Sequence, residues 1–142
     1  MRIITVLLLS LALGISAFAA KKEIHPKEFA PGAPFSPGIL VDGTLYVAGQ
    51  TGQDLSTHKL PEDFQAEVKQ ALENIGLVLK EAGMSFDNAV TVQVYLTDMT
   101  LFPKMNEVYK TFFKEPRPAR TTVGVAKLVG TARIEITVTA HK

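Results

Sequence analysis

The stretch ILVDGTLYVA, residues 39–48, decides the fold of this chain because it predicts a β-hairpin. Two apolar runs flank Asp42-Gly43, and a two-residue Asp-Gly loop is the strongest short-range signal for a hairpin turn. In the second run, large apolar residues alternate with Tyr46 and Ala48, which is typical of a strand with one buried face. The hairpin therefore predicts a sheet that turns one face toward a core.

Downstream of the hairpin, hydrophobic periodicity predicts two helices and three further strands. The first helix spans Phe64 to Ala82, with apolar residues at three- and four-residue spacing, and Gly83 follows as a left-handed cap. The second helix begins at Asp98 or Thr100 and carries an apolar inner stripe formed by Met105, Val108, Tyr109 and Phe112. The strands are predicted at Ala89–Leu96, Thr121–Ala126 and Arg133–Ala140.

These elements predict the order β-β-α-β-α-β-β, an α/β (α+β) fold with a single sheet and two helices on one face. The segment Lys21 to Gly38 is rich in proline and is predicted to be an extended arm. In the strand at residues 89–96, alternation turns one set of side chains to the helices, namely Val90, Val92, Val94 and Leu96. The opposite face is mixed and poor in Lys and Glu, so two interpretations stand: burial against another subunit, or an ordinary solvated face.

The first twenty residues have the pattern of a secretory signal peptide. A positive start at Met1-Arg2 precedes the apolar run Ile3–Ile15 and the small-residue cleavage site Ala17-Phe18-Ala19. The apolar run is shorter than the ~20 residues of a spanning helix, which favours cleavage after Ala19 or Ala20 over an uncleaved membrane anchor. We therefore expect a signal peptide at residues 1–20, one domain at residues 21–142, and a periplasmic or secreted protein.

Composition excludes several functional classes. The 142 residues include no cysteine, which excludes disulfides, thiol nucleophiles and cysteine zinc sites. Without Arg2 the basic and acidic side chains are equal in number, which argues against nucleic-acid and anionic-membrane partners. No metal site is predicted, because the three histidines lack metal-ligand spacing.

An arginine and a glutamate are the candidate chemical groups. Arg120 opens the predicted strand after Arg117-Pro118-Ala119, and its phase would place it with Thr122 on the mixed face, where Glu135 also lies. A guanidinium grips a carboxylate with two charge-assisted hydrogen bonds, and a glutamate shielded from solvent can activate a water. The pair thus fits hydrolysis of a small acid, across a subunit boundary, but a structural Arg120–Glu135 salt bridge explains the same residues equally well.

Several motifs together resemble the Rid (YjgF) family of reactive-intermediate deaminases. They are TLYVAGQTGQD, ALENIGLVLKEAG, TVQVYLTDM, MNEVYKTFF, RPARTTVGVAKL and RIEITVTA, which occur in the family's order and spacing from about Glu23 to the C-terminus. The resemblance implies a chorismate-mutase-like fold and a homotrimer with clefts between subunits. It also implies hydrolysis of enamine and imine acids such as 2-iminopropanoate and 2-iminobutanoate to 2-oxo acids and ammonia, with no cofactor.

The resemblance also implies roles for individual residues. Arg120 matches the arginine that holds the substrate carboxylate, and Glu135 matches the glutamate associated with the water. The remaining substrate-binding positions carried over from the family are Phe35, Gly49, Gln50, Asn106 and Thr121. The expected partner is a small imino or oxo acid, with neither nucleic acid nor, after signal cleavage, a membrane.

Two positions depart from the family pattern. Phe35 stands where relatives often have tyrosine, and Ala48 where they often have serine, so two hydroxyl groups are missing. Each lost hydrogen bond is worth about 0.5–1.5 kcal/mol if neutral, which would slow turnover or alter substrate choice. These changes keep a second hypothesis in play, a trimer that binds small carboxylates without turnover. A ribonuclease or translation inhibitor is a weaker third hypothesis, because export and a neutral charge balance oppose it.

Overall fold

Six strands and two helices make up the part of the chain that the computed structural model describes, residues 20–142. The strands are β1 Lys22–Ile24, β2 Gly38–Val41, β3 Thr44–Thr51, β4 Ala89–Leu96, β5 Ala119–Gly124 and β6 Ile134–His141. The helices are α1 Phe64–Glu81 and α2 Phe102–Phe112. The predicted signal peptide lies outside the described residues, apart from Ala20. No helix within residues 20–142 is long and apolar enough to cross a bilayer.

All six strands belong to one sheet in the order β1-β2-β3-β6-β4-β5. Only β4 and β5 pair in parallel among these strands, and α2 makes the crossover that a parallel pair requires. The predicted single sheet with two helices is confirmed. The one addition is β1, a short strand within the predicted arm that pairs with β2.

The helices begin and end at signals that the sequence carries. Asp63 caps α1 by accepting a hydrogen bond from Ala66 N at 2.8 Å, and Gly83 follows the helix with φ +68°. The second helix begins later than predicted. Asp98 and Thr100 belong to a 3-10 turn, in which the Asp98 carboxylate accepts from Thr100 N at 2.8 Å, and α2 starts at Phe102.

The core lies between α1, α2 and the apolar face of the sheet. The buried strand residues include Leu45, Val47, Val92, Val94, Leu96, Ile134, Ile136 and Val138. The predicted inward position of Val90 is wrong: this side chain is 51% exposed. The register of β4 against β6 shifts between Ala89 and Thr91, so Val90 is the extra residue of a β-bulge and falls out of phase.

A buried ion pair joins α1 to the start of β6. Glu67 is fully buried, and its carboxylate accepts hydrogen bonds from the backbone N of Arg133 at 2.7 Å and from the Arg133 side chain. The same guanidinium donates to the carbonyls of Pro61 and Glu62 at 3.0 Å. Because the two charges satisfy each other and the adjacent backbone, they fix the position at which β6 enters the sheet.

Removing the buried carboxylate should destabilise the fold. We expect Glu67→Ala to lower the free energy of unfolding by about 3 kcal/mol, because the Arg133 guanidinium loses its partner. The loss is not larger because this guanidinium can still reach water. The matched control is Glu73→Ala, which removes an exposed α1 carboxylate paired with Lys69 and should cost less than about 1 kcal/mol. Urea unfolding measures both, and equal losses would contradict the structural role given to Glu67.

Candidate functional site

The phase of β5 differs from the sequence prediction. Arg120 is the register partner of Val92, which is buried in the core, and Val123 is the partner of Tyr95 on the opposite face. Arg120 therefore lies on the helix-covered side of the sheet, and the prediction that it shares the mixed face with Glu135 is wrong. The apolar Val123, on the edge strand β5, faces away from the core and is 40% exposed.

Arg120 lies against aromatic rings of α2. Its guanidinium carbon lies 4.5 Å from the centre of the Tyr109 ring and 5.5 Å from that of Phe102. Within residues 20–142 no carboxylate forms an ion pair with it. The Tyr109 hydroxyl and Thr122 Oγ1 are buried without a hydrogen-bond partner in the same part of the chain. Burial raises the pKa of Tyr109, against the opposing effect of Arg120, so this phenol stays protonated.

Glu135 lies on the mixed face, beside the bulge of β3. The register of β3 against β6 shifts between Val47 and Gln50, which leaves Ala48 and Gly49 outside the regular ladder. The Glu135 carboxylate lies directly over Gly49: a Cβ atom added there would be 1.9 Å from Oε1. Any side chain at position 49 would therefore have to displace the Glu135 carboxylate. The half-buried carboxylate forms no ion pair with any described residue.

A cleft of about 480 Å³ opens beside this carboxylate. Its walls come from the arm before β2, the bulge of β3, the loop after β3, and Val129. The loop is held by Asp54, whose carboxylate accepts four hydrogen bonds from Ser56 and Thr57. Hydrogen bonds from the Ser56 hydroxyl and then from the Thr57 backbone lower the pKa of Asp54 to about 2. Asn74 of α1 donates to the carbonyls of Thr51 and Gln53, at 3.1 and 2.9 Å, and anchors the loop to the helix.

The predicted site residues therefore fall into two groups. The first group lines the cleft with Glu135 and consists of Phe35, Gly49 and Gln50. The second group, Asn106 and Thr121, lies on the two elements that contact or carry Arg120. Asn106 is on α2 between Phe102 and Tyr109, whereas Thr121 is exposed on β5 and faces away from the helices, opposite to Arg120. Glu135 lies two strands away from Arg120 across the sheet and three residues away along the strand direction, roughly 10 Å in each direction. The two side chains are on opposite faces of the sheet. A single protomer forms no Arg120–Glu135 salt bridge and does not bring both groups to one small molecule.

Sequence reasoning missed several residues of these groups. Phe29, Leu55 and Val129 line the cleft from segments that carry no periodic pattern. Asn74 and Glu67 did leave a signal, since both are polar residues on the buried side of α1, where an apolar residue would be expected. Tyr109 was correctly assigned to the inner stripe, but its contact with Arg120 depends on the packing of α2 over β5. No group of three His, Asp or Glu residues suited to a metal ion occurs in residues 20–142.

Fold and geometry together define a class: a single-sheet α/β domain that carries Arg120 and Glu135 on opposite faces of its sheet. The family model described as Endoribonuclease L-PSP matches residues 25–142. The chain belongs to this family, the Rid (YjgF) family, as its sequence motifs indicated.

Two curated relatives illustrate the match. The 2-iminobutanoate/2-iminopropanoate deaminase of Homo sapiens is 47% identical over 110 residues, which is 75% of this chain and 80% of the relative. A RutC family protein of Aquifex aeolicus is 40% identical over 119 residues, 82% of this chain and 95% of the relative. Such relatives support imine deamination at the level of the family.

Solved structures share the fold. The Rid family protein YyfA of Yersinia pestis, described as of unknown function, superposes with a TM-score of 0.82 at 34% identity and covers 87% of this chain and 100% of its own. TdcF of E. coli, solved with bound serine, has a TM-score of 0.78 at 32% identity, with 85% and 99% covered.

The steric requirement at Gly49 can be tested directly. We expect Gly49→Ala to displace the Glu135 carboxylate while leaving Tm nearly unchanged, because the clashing atom is the free end of a flexible side chain. The matched control is Gly76→Ala in α1, where the nearest atom to the added Cβ is a Phe86 ring carbon at 3.4 Å. This control should stabilise the helix by about 0.5–1 kcal/mol and leave Glu135 in place. Crystal structures of both variants show the position of Glu135, and thermal melts give their Tm values. An unmoved Glu135 in Gly49→Ala would contradict the steric argument.

Proposed function

We propose that this protein hydrolyses small 2-imino and enamine acids, such as 2-iminopropanoate and 2-iminobutanoate, to 2-oxo acids and ammonia without a cofactor. The single observation that carries the proposal is the Glu135 carboxylate, which lies over Gly49 at the wall of an open cleft and has no ion-pair partner among the described residues. A carboxylate in that setting is available to hold and deprotonate a water molecule. The deaminase names of relatives that are 44–47% identical support the same chemistry.

We further propose that the working unit is a homotrimer in which each site forms between two protomers. Arg120 and Glu135 lie on opposite faces of one sheet, so a ligand that needs both groups must use Arg120 of one protomer and Glu135 of the next. A closed ring of three protomers would form three such sites from identical contacts. The exposed apolar residues on the sheet face, Tyr46 and Val123, are consistent with burial in such a contact.

In this arrangement each residue has a defined task. The Arg120 guanidinium binds the substrate carboxylate through two charge-assisted hydrogen bonds and so fixes the position of the adjacent C=N carbon. Glu135 accepts a proton from water as the water oxygen bonds to that carbon, the C=N π electrons move to nitrogen, and Glu135 returns the proton to that nitrogen. In the resulting carbinolamine the hydroxyl proton passes through Glu135 to the amino nitrogen, the C–N bond breaks, and ammonia leaves the 2-oxo acid.

A non-catalytic carboxylate-binding trimer is the second candidate function. The observation that favours it is the apolar character of Phe35 and Ala48 at the cleft, where two hydroxyl groups that relatives often carry are missing. Arg120 would still hold an anion in such a protein, because its grip does not depend on either hydroxyl. Turnover separates the two candidates, and cleavage of RNA would instead favour the activity named in the family description.

We also propose that the protein is exported, on the basis of the signal-peptide pattern of residues 1–20. The protein recovered from the periplasm or medium of expressing cells should begin at Ala20 or Lys21 by N-terminal sequencing. Intact Met1 on protein confined to the cytosolic fraction would contradict export.

Loss of either charged group should abolish turnover with different effects on binding. We expect Arg120→Ala to lower kcat/KM at least about 100-fold and to weaken binding of 2-oxobutanoate, because two bonds to a charged group are lost. We expect Glu135→Gln to lower kcat while 2-oxobutanoate still binds. The assay generates the imine with an amino-acid oxidase and follows the disappearance of the imine. Calorimetry measures binding of the stable 2-oxo acid. Full activity in either variant would refute the proposed mechanism.

Mixing the two inactive variants tests whether the site is shared. If the site lies between protomers, co-refolded Arg120→Ala and Glu135→Gln chains regain up to about a quarter of wild-type activity, since one interface in four carries both intact residues. Each variant refolded alone is the control and should stay inactive. Absence of recovery in a verified mixed trimer would contradict a site shared between protomers.

A further inference from the structure

The cleft beside Glu135 is larger and more apolar than a three- or four-carbon imino acid requires. Its volume of about 480 Å³ falls within the range of pockets that bury drug-sized ligands. Eight of its lining residues are apolar: Phe29, Ala30, Ala33, Phe35, Pro37, Ala48, Leu55 and Val129. A substrate with only a methyl or ethyl side chain would leave most of these walls in contact with water.

Three amide side chains of the cleft are hydrogen-bonded to the protein itself. The Gln50 amide donates to the Ala48 carbonyl at 3.1 Å, and the Gln53 amide donates to the His58 carbonyl at 2.9 Å. Asn74 uses both ends of its amide, because its Oδ1 also accepts from Gln70 at 3.0 Å. These three amides therefore offer little to a polar ligand side chain. The polar side chains of the lining without a hydrogen bond among the described residues are those of Thr51, His58 and Glu135.

Two large apolar residues of the cleft expose unusual amounts of surface. The Phe35 side chain is 60% exposed and Val129 is 83% exposed. Both belong to the same continuous lining as Glu135 and Gly49, so an apolar group that covers them also lies next to the proposed reaction centre. Neither Phe35 nor Ala48 brings a hydroxyl that would have to be desolvated when such a group enters.

We infer that the preferred substrates are imino acids with bulky apolar side chains, branched aliphatic or aromatic. This inference rests on the proposed function. The imine carbon lies near Glu135, the carboxylate points toward an arginine of the neighbouring protomer, and the side chain occupies the apolar part of the cleft between Phe35, Leu55 and Val129. Hydrophobic contact sets the selectivity, because each methylene buried in such a pocket changes kcat/KM by about tenfold or more.

The test compares substrates and stable ligands of two sizes. With imines generated in situ, kcat/KM for 4-methyl-2-iminopentanoate should exceed that for 2-iminobutanoate at least about tenfold. Calorimetry should show the same order for the corresponding 2-oxo acids. Ala33→Leu narrows the cleft and should reduce the ratio of kcat/KM for the bulky imine to kcat/KM for the small imine several-fold. Ala66→Leu, a substitution of the same size at an exposed position of α1 outside the cleft, should leave the ratio unchanged.

The outcomes separate this inference from the proposed function. Turnover that is equal or faster with the small imine, together with equal or tighter binding of the small oxo acid, overturns the preference and keeps the deaminase. That is also the result expected if a second protomer fills the apolar part of the cleft. Tighter binding of the bulky oxo acid without turnover of any imine supports the preference and overturns the deaminase. Absence of both binding and turnover overturns both.

Discussion

Alternation of side chains along a β-strand is the constraint on which the site of this protein depends. Because β5 pairs with β4 in the register Val92–Arg120, the guanidinium faces α2, whereas β6 turns Glu135 to the other side of the sheet. No rotamer change moves a side chain through a hydrogen-bonded sheet. The cation and the carboxylate are therefore kept apart within each chain, and only the proposed assembly would bring them together.

Several polar groups near Arg120 and Glu135 lack partners within the described part of one chain. The charge of Arg120 is balanced by aromatic faces rather than by a carboxylate, and two buried hydroxyls beside it lack partners within the described residues. On the other face, Glu135 has no ion pair and lines an open cleft. A stable protomer tolerates these deficits because the Glu67–Arg133 pair and the core hold β6 in place independently of the site. The contacts that fold the chain are thus distinct from those proposed to bind the ligand.

The sequence predicted the helices and strands well, but it predicted less well which face of the sheet a strand residue occupies. The Asp-Gly hairpin, the stripe of α1 and the alternation of β6 are local patterns, and each appears in the structure close to its predicted bounds. Val90 and Arg120 were misplaced for a different reason. A bulge at the start of β4 puts Val90 out of phase, and the pairing register of the edge strand β5 with β4 turns Arg120 toward α2. Both depend on pairing with distant strands, which periodicity within one strand does not reveal. The cleft was missed for the same reason, since the arm, the bulge and the loop that form it meet only in the folded chain.

The apolar walls of the cleft bear on how so simple a site could work. Hydrolysis of an imine needs one water molecule at the C=N carbon, and additional mobile water only competes for the groups that position it. A bulky apolar side chain that fills the cleft between Phe35 and Val129 would displace such water and leave Glu135 as the nearest free acceptor for a water molecule. The two absent hydroxyls then have a consistent explanation. In the proposed reaction, a hydroxyl at position 35 or 48 would retain water next to the reacting carbon, whereas Phe35 and Ala48 would leave the orientation of the single water to the Glu135 carboxylate over Gly49.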